Sequence, residues 1–370
     1  MLIRRSARNV QAYLLTAWRA RVEDYATRRK PCCMEVALTT QAGMSEVAAR
    51  AGVSVTTVSH VLSGRRPVAD ATRSRVLRVI EELGYQPNPL SRVLRTQQTM
   101  TVALIVPDLT NPFYPMVLRG LAEVLVPAGY HAVVCNTDGT REEEISFLQE
   151  MTNRRVDGVV IAAFQLSRKD FLEHAKTGPL VRLGGAPFDP DLGDLVRSDD
   201  EGGMLQSARY LLEQGRGRLA YVGGPAHVGP SDLREAGYRR ALAEAGQAID
   251  EDLVIRGEFT REAGRAAAER LLGRTDRPDA IACANDLIAI GVLDVARAMG
   301  LHVPGELAVT GYDDIDAASL VFPALTTVVN PAREVGRACG EALLRQLTGG
   351  EAEPPRELVI ANSLIRRESA

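Results

Sequence analysis

The sequence predicts an all-α head of the helix-turn-helix type followed by an α/β body of two doubly wound lobes. Three observations predict it. Residues 44–63 read as two short helices around a tight turn, and a third helix follows at 71–83. After Thr99 short apolar runs alternate with helical segments to the end of the 370-residue chain.

In the head, Val47, Ala51, Val53, Val58 and Val61 are spaced so that both helices face one core. Ala48 is small where the first helix must lie close to the second, and Gly52 stands where a turn needs positive φ or has no room for Cβ. Ser54 is positioned to cap the second helix by accepting a backbone N–H. That helix leaves Thr56, Thr57, Ser59 and His60 outside, short polar residues suited to a helix lying in a DNA major groove. A plain αα-hairpin shares the periodicity, so both readings stay open at this point. The third helix, Ala71 to Leu83, turns Val76, Val79, Ile80 and Leu83 to one face and ends at Gly84.

In the body, Val102–Val106, Ala132–Cys135, Gly158–Ala162, Leu180–Leu183, Leu219–Val222, Ala280–Cys283 and Leu307–Thr310 read as buried strands. Helical segments such as Met116–Leu125 separate most of them, the pattern of parallel sheets. The stretch is too long for one sheet, so two lobes are expected, with ligand beyond the carboxyl ends of the strands.

Composition sets further bounds. Hydrophobic residues make up 45% of the chain and mean hydropathy is near zero, as in a globular protein. No apolar run approaches the roughly 20 residues that span a membrane. The five cysteines lack metal-ligand spacing, and adjacent Cys32 and Cys33 fit a reducing cytoplasm. The net charge of −3 is unevenly distributed: residues 43–97 hold eight arginines against four acids, and residues 1–42 eight bases against three acids. The remainder is therefore strongly acidic, which suits a protein that docks one end on phosphate. No dinucleotide fingerprint, phosphate loop or nucleophile elbow occurs, and Gly223-Gly224-Pro225 reads as a strand end. Neither an enzyme nor a metal- or cofactor-binding protein is indicated.

Ala51-Gly-Val-Ser-Val-Thr-Thr-Val-Ser59, Gly84-Tyr-Gln-Pro-Asn88 and Leu94-Arg-Thr96 stand in one order with Val106-Pro-Asp-Leu-Thr-Asn-Pro-Phe-Tyr114, Arg155-Val-Asp-Gly-Val159, Asn285-Asp286, Gly311-Tyr-Asp-Asp314 and Pro323-Ala-Leu-Thr-Thr327. In these motifs residues 44–367 resemble the lac repressor family of bacterial transcription regulators. The resemblance implies a helix-turn-helix domain at 43–87, a hinge helix and linker at 88–98, and a periplasmic-binding-protein-like effector-binding and dimerisation domain at 99–370. Residues 1–42 fall outside the pattern and read as a disordered or mis-annotated extension, the alternative being a basic arm that adds phosphate contacts.

By the same resemblance, Ser54, Val55, Thr56, Thr57, Ser59 and His60 meet DNA, with Val55, Thr56 and His60 at base edges. Histidine stands at 60 where the family often has arginine, which shifts operator preference there. Ser91 and Leu94 serve the hinge, Leu94 as a wedge in the minor groove. The effector cleft draws on Phe113, Tyr114, Arg234, Phe259, Asn285 and Asp313. Sugar-binding members often have an aspartate where this chain has Gly184-Gly185; a carbohydrate remains the expected effector, with a phosphorylated or carboxylated metabolite as the alternative. The expected protein is a cytoplasmic, nucleoid-associated homodimeric repressor on a roughly palindromic operator, under allosteric control. A solute-binding or enzymatic body fused to a DNA-binding head is the alternative function.

Overall fold

The computed structural model describes residues 43–63, 66–85, 98–175, 178–185, 187–349 and 354–370. Ser91 and Leu94 of the hinge, and the extension 1–42, lie outside them. The chain divides into two compact units, Met1–Arg95 and Thr96–Ala370.

The first unit holds α1 (Met44–Ala51), α2 (Val55–Ser63) and α3 (Asp70–Leu83). Its small core is Val47, Ala48, Ala51, Val58, Val61, Val76, Val79 and Tyr85, with Val53, Ile80 and Leu83 partly buried around it. Gly52 takes φ +62°, and the amide of Val53 donates to Ala48 O at 3.0 Å, closing α1. Only a residue free of the Cβ clash makes this left-handed step cheaply. Ser54 Oγ accepts from Thr57 N at 3.1 Å, the expected cap on α2. Gly84, at φ +56°, ends α3 as its sequence indicates.

The second unit contains two six-stranded sheets. One has the order β11-β5-β4-β3-β1-β2, formed by β1 (Thr101–Val106), β2 (His131–Asn136), β3 (Gly158–Ile161), β4 (Leu180–Leu183), β5 (Asp194–Ser198) and β11 (Glu357–Ile360). All its pairings are parallel. Val102, Leu104 and Val106 of β1 face α4 (Phe113–Leu125) and α12 (Ala332–Thr348), while Ala103 and Ile105 face α5 (Arg141–Asn153) and α6 (Arg168–Ala175). Both faces are buried, which is why β1 reads as one apolar run rather than an alternation.

The other sheet has the order β12-β10-β9-β8-β6-β7, from β6 (Leu219–Gly223), β7 (Val254–Arg256), β8 (Ala280–Cys283), β9 (Ala308–Asp313), β10 (Thr326–Val329) and β12 (Ser363–Ile365). Only its β10–β12 pairing is antiparallel. It packs with α7 (Asp200–Glu213), α8 (Gly229–Glu244), α9 (Arg261–Leu272) and α10 (Asp286–Ala298), and α11 (Asp316–Leu320) follows β9. The two sheets form α/β lobes of mostly parallel strands, as expected.

The chain crosses between the lobes three times: from β5 to α7, from β10 to α12, and from β11 to β12. The lobes also repeat one device at the base of their sheets. Asp157, just before β3, accepts from the amides of Thr99 and Met100, both at 2.8 Å. Asp279, just before β8, accepts from Gly217 and Arg218 at 2.9 and 3.0 Å. Each carboxylate ties the segment entering its lobe to the sheet.

Candidate functional site

A cleft of about 540 Å³ opens where the strands of both sheets end. Pro107 and Asp108 follow β1, Asp138 follows β2, Phe164 follows β3, and Leu183 and Ser198 end β4 and β5. From the other lobe come Pro225 after β6, Phe259 after β7 and Asp313 at the end of β9. This is the carboxyl-end position expected for ligand in parallel sheets, and the volume lies in the ordinary range for small-molecule sites.

Four of the six sequence-predicted cleft residues cluster tightly around its polar and aromatic walls. Phe113 and Tyr114 start α4 and pack edge to face, ring centroids 5.3 Å apart. Arg234 on α8 and Asp313 lie in the opposite lobe, Arg234 Nη2 3.5 Å from Asp313 Oδ1. Phe259, a fifth, also lines the cleft. A Cβ on Gly224 would stand 2.2 Å from its ring, so the Gly-Gly-Pro strand end is what seats this aromatic.

Asn285 corrects the expectation. It is outside the cleft lining and both ends of its amide are engaged by protein. Its Oδ1 accepts from Ile288 N at 2.8 Å, capping α10, and its Nδ2 donates to Phe259 O at 3.2 Å. The strand-to-helix turn needs a cap, and asparagine meets it. Asn285 therefore bears on the cleft through the backbone of Phe259.

Arg234 is more deeply committed than its sequence suggests. Nε donates to Asp200 Oδ1 at 2.8 Å, Nη1 donates to Ala284 O at 2.6 Å, and the guanidinium lies 3.8 Å from the Tyr312 ring centroid. Asp200 and Asp313 on either side favour its charged form against the cost of burial. Burial pushes the Asp313 carboxyl up to about 6, opposed by Arg234 and by the Asn330 amide, which donates to it at 3.0 Å. Burial also raises the Tyr114 phenol, so it stays a hydrogen-bond donor. Asp286 supports this end of β9, accepting from Ile315 N at 2.8 Å and Thr327 Oγ1 at 2.5 Å. Asp314 instead pairs with Arg367 at 2.7 Å.

Several lining residues have no local sequence signal. Asp200 stands at the first lobe crossing and Asn330 at the second. Asp108, Asp138 and Glu258 add further carboxylates, against Arg197, which pairs with Glu357 at 2.7 Å. Arg182 points away from the cleft, as strand alternation indicates, donating to the carbonyls of Pro187 and Asp189. Among the described residues, no cluster of three or more His, Cys, Asp or Glu could hold a metal ion.

In the head, Ser54, Val55 and Thr56 at the start of α2 are exposed, while Thr57, Ser59 and His60 are partly exposed. The Thr57 hydroxyl lies 2.9 Å from that of Ser54. The predicted contact residues thus share the first turns of one helix. Ser91 and Leu94 are outside the described residues.

Residues 43–88 match the model of bacterial regulatory proteins of the lacI family, and residues 208–370 match that of the periplasmic binding protein-like domain. The chain is 35% identical over 331 residues to the ribose operon repressor of Escherichia coli (strain K12), across 89% of this chain and 100% of that protein. The chain belongs to the lacI family. Another lacI-family relative, the HTH-type transcriptional repressor PurR of Vibrio campbellii, is 33% identical over 330 residues, across 87% of this chain and 98% of its own. Among solved structures, the transcriptional regulator CelR in complex with cellobiose is 35% identical, with a TM-score of 0.67 over 89% of this chain and 99% of that one. As a lacI-family member the chain is a DNA-binding transcriptional repressor controlled by a small metabolite.

Proposed function

We propose that the effector is a neutral, hydroxyl-rich metabolite, a sugar or sugar derivative, held between the two lobes. The chemistry of the cleft carries this reading. Its lining has five acids (Asp108, Asp138, Asp200, Glu258 and Asp313) against Arg197 and Arg234. Arg234 is already satisfied by Asp200, Asp313 and the Ala284 carbonyl, and Arg197 pairs with Glu357. A carboxylated or phosphorylated ligand would meet net negative charge with no free cation prepared for it. A hydroxyl-rich ligand would donate to those acceptors. The sugar names carried by two of the relatives, ribose and cellobiose, agree with this choice.

Ser54, Val55, Thr56, Thr57, Ser59 and His60 are proposed to meet the operator, with Thr57 and Ser59 on phosphates. The hinge supplies Ser91 and Leu94. The active species is a homodimer on a roughly palindromic operator, in the cytoplasm at the nucleoid and without enzymatic activity. Two exposed apolar side chains, Leu320 at the end of α11 and Phe322 just after it, support self-association. The buried free thiols Cys135, Cys283 and Cys339 suit a reducing compartment. Domain limits of 43–87, 88–98 and 99–370 complete the proposal.

The test has two parts. Selection of operator sequences from random DNA should yield a palindrome, and Thr56→Ala with His60→Ala should relax its base preference. A thermal-shift screen of neutral sugars, sugar phosphates and sugar acids should show stabilisation by a neutral sugar, since ligand bound to the folded state raises the melting point. Stabilisation by the anionic compounds alone would refute the neutral reading.

A further inference from the structure

We propose that Phe164 makes the cleft selective for cyclic ligands, its ring, seated against the side-chain-free Gly184–Gly185 turn, forming an apolar wall for the C–H face of a sugar ring. This rests on the carbohydrate reading above and adds to it the shape of the sugar.

Phe164 is half-buried and lines the cleft just beyond β3. Gly184 and Gly185 take φ +67° and +77°, so the turn beside it has no side chains. A Cβ on either glycine would stand 3.7 to 3.9 Å from the Phe164 ring, in ordinary van der Waals contact. The ring thus covers a bare stretch of backbone and packs with Leu183 and the neighbouring core. This wall offers a ligand no polar side-chain atom.

Around it the lining is polar, with Asp108, Asp138 and Ser198 from the same lobe and Asp200, Arg234 and Asp313 buried together across from them. A ligand between the lobes must therefore be two-faced. A cyclic sugar can turn its hydroxyl edge to the acids and lay an apolar C–H face on the ring. An open-chain polyol with the same hydroxyl chemistry has no such face. It must bury hydroxyls against the phenyl ring without partners, which is costly.

The wall is preformed. Glu144 on α5 is fully buried, and its carboxylate accepts from Phe164 N at 3.0 Å and Gln165 N at 3.1 Å. Glu144 is thus a positioning residue: it never meets the ligand and fixes the backbone that presents the ring.

Calorimetric titration of the full chain with D-ribose against ribitol, and D-glucose against sorbitol, tests this. The wild type should bind one ring at least about tenfold more tightly than its alditol. Phe164→Tyr should keep that preference, and Phe164→Ala should bring ring and alditol to similar affinity. Glu144→Gln, which sets an amide N–H against backbone N–H groups, should weaken ring binding and leave alditol binding little changed. Should Phe164→Ala not fold, Phe164→Leu removes the flat face at similar volume and should lose the preference likewise. A Phe164→Ala or Phe164→Leu protein that still prefers the ring overturns the proposal, as does a wild type that binds alditol as tightly. A wild type that binds neither overturns the carbohydrate reading, and ring selection with it.

Discussion

At the scale of single residues, Asp313 and Arg234 do two jobs, lining the cleft and satisfying each other. Asp313 takes φ +105°, a backbone strain tolerated where the surroundings hold it firmly. Its carboxyl, at about 6 in the fold against an ordinary 3.8, keeps a proton that the unfolded chain has lost at pH 5. The stability contributed by this group is therefore full below about pH 4 and lost as pH rises through about 6. Its function as an acceptor runs the other way, since the ionised form exists above about pH 6. Effector affinity should fall as pH is lowered from 7.5 to 5, and Asp313→Asn should flatten the step; titrations across that range decide it. Arg234→Ala would leave Asp200 and Asp313 buried without their cation, and should cost about 3–5 kcal/mol in denaturant unfolding. Arg234, Asp313, Phe113, Tyr114 and Phe259, which line the cleft, were reached through the family resemblance and not from any local pattern of charge or spacing. Asp200, Asn330 and Phe164 were not reached at all, because their importance comes from lobe crossings and strand ends that no local pattern marks.

At the scale of elements, close-packed helix pairs position the cleft. A Cβ on Gly336 of α12 would lie 2.0 Å from Val117 O, and one on Gly120 of α4 would lie 1.9 Å from Arg333 O. The two helices meet backbone to backbone, and α4 carries Phe113 and Tyr114 in its first turn. Gly336→Ala should destabilise the body by about 1–3 kcal/mol through overpacking, and should weaken effector binding by shifting α4. Unfolding curves paired with effector titrations would detect both, and unchanged affinity would separate α4 from the site. Residues 89–96 of the hinge, about two helical turns, are proposed to form a helix only on DNA, being too short to persist alone. Leu94→Ala should weaken operator binding by about 2–3 kcal/mol, the worth of burying one leucine, and leave random DNA nearly unaffected. Equal loss on both would discount the wedge. Strands buried on both faces were legible as apolar runs. The short segments β5, β7, β10, β11 and β12 were not, since three to five residues with polar members carry little periodic signal.

At the scale of the whole molecule, the signal that separates head from body in the sequence is the change near Thr99 from helices alone to short apolar runs alternating with helices. The basic head and acidic body fit a protein that presents one end to phosphate, so operator affinity should fall steeply with salt, more steeply for the intact chain than for variants lacking head arginines such as Arg73 or Arg75. The triple crossing between lobes has a consequence for biosynthesis. β11 and β12, which complete one edge of each sheet, lie within the last 14 residues. They follow every other strand in chain order, so neither sheet is complete until both lobes have been synthesised. The first lobe must wait, with β5 unpaired along one side, until the second has been synthesised. Folding of the two lobes is thus coupled at the ribosome, and the nascent body exposes two open sheet edges to whatever chaperones meet it.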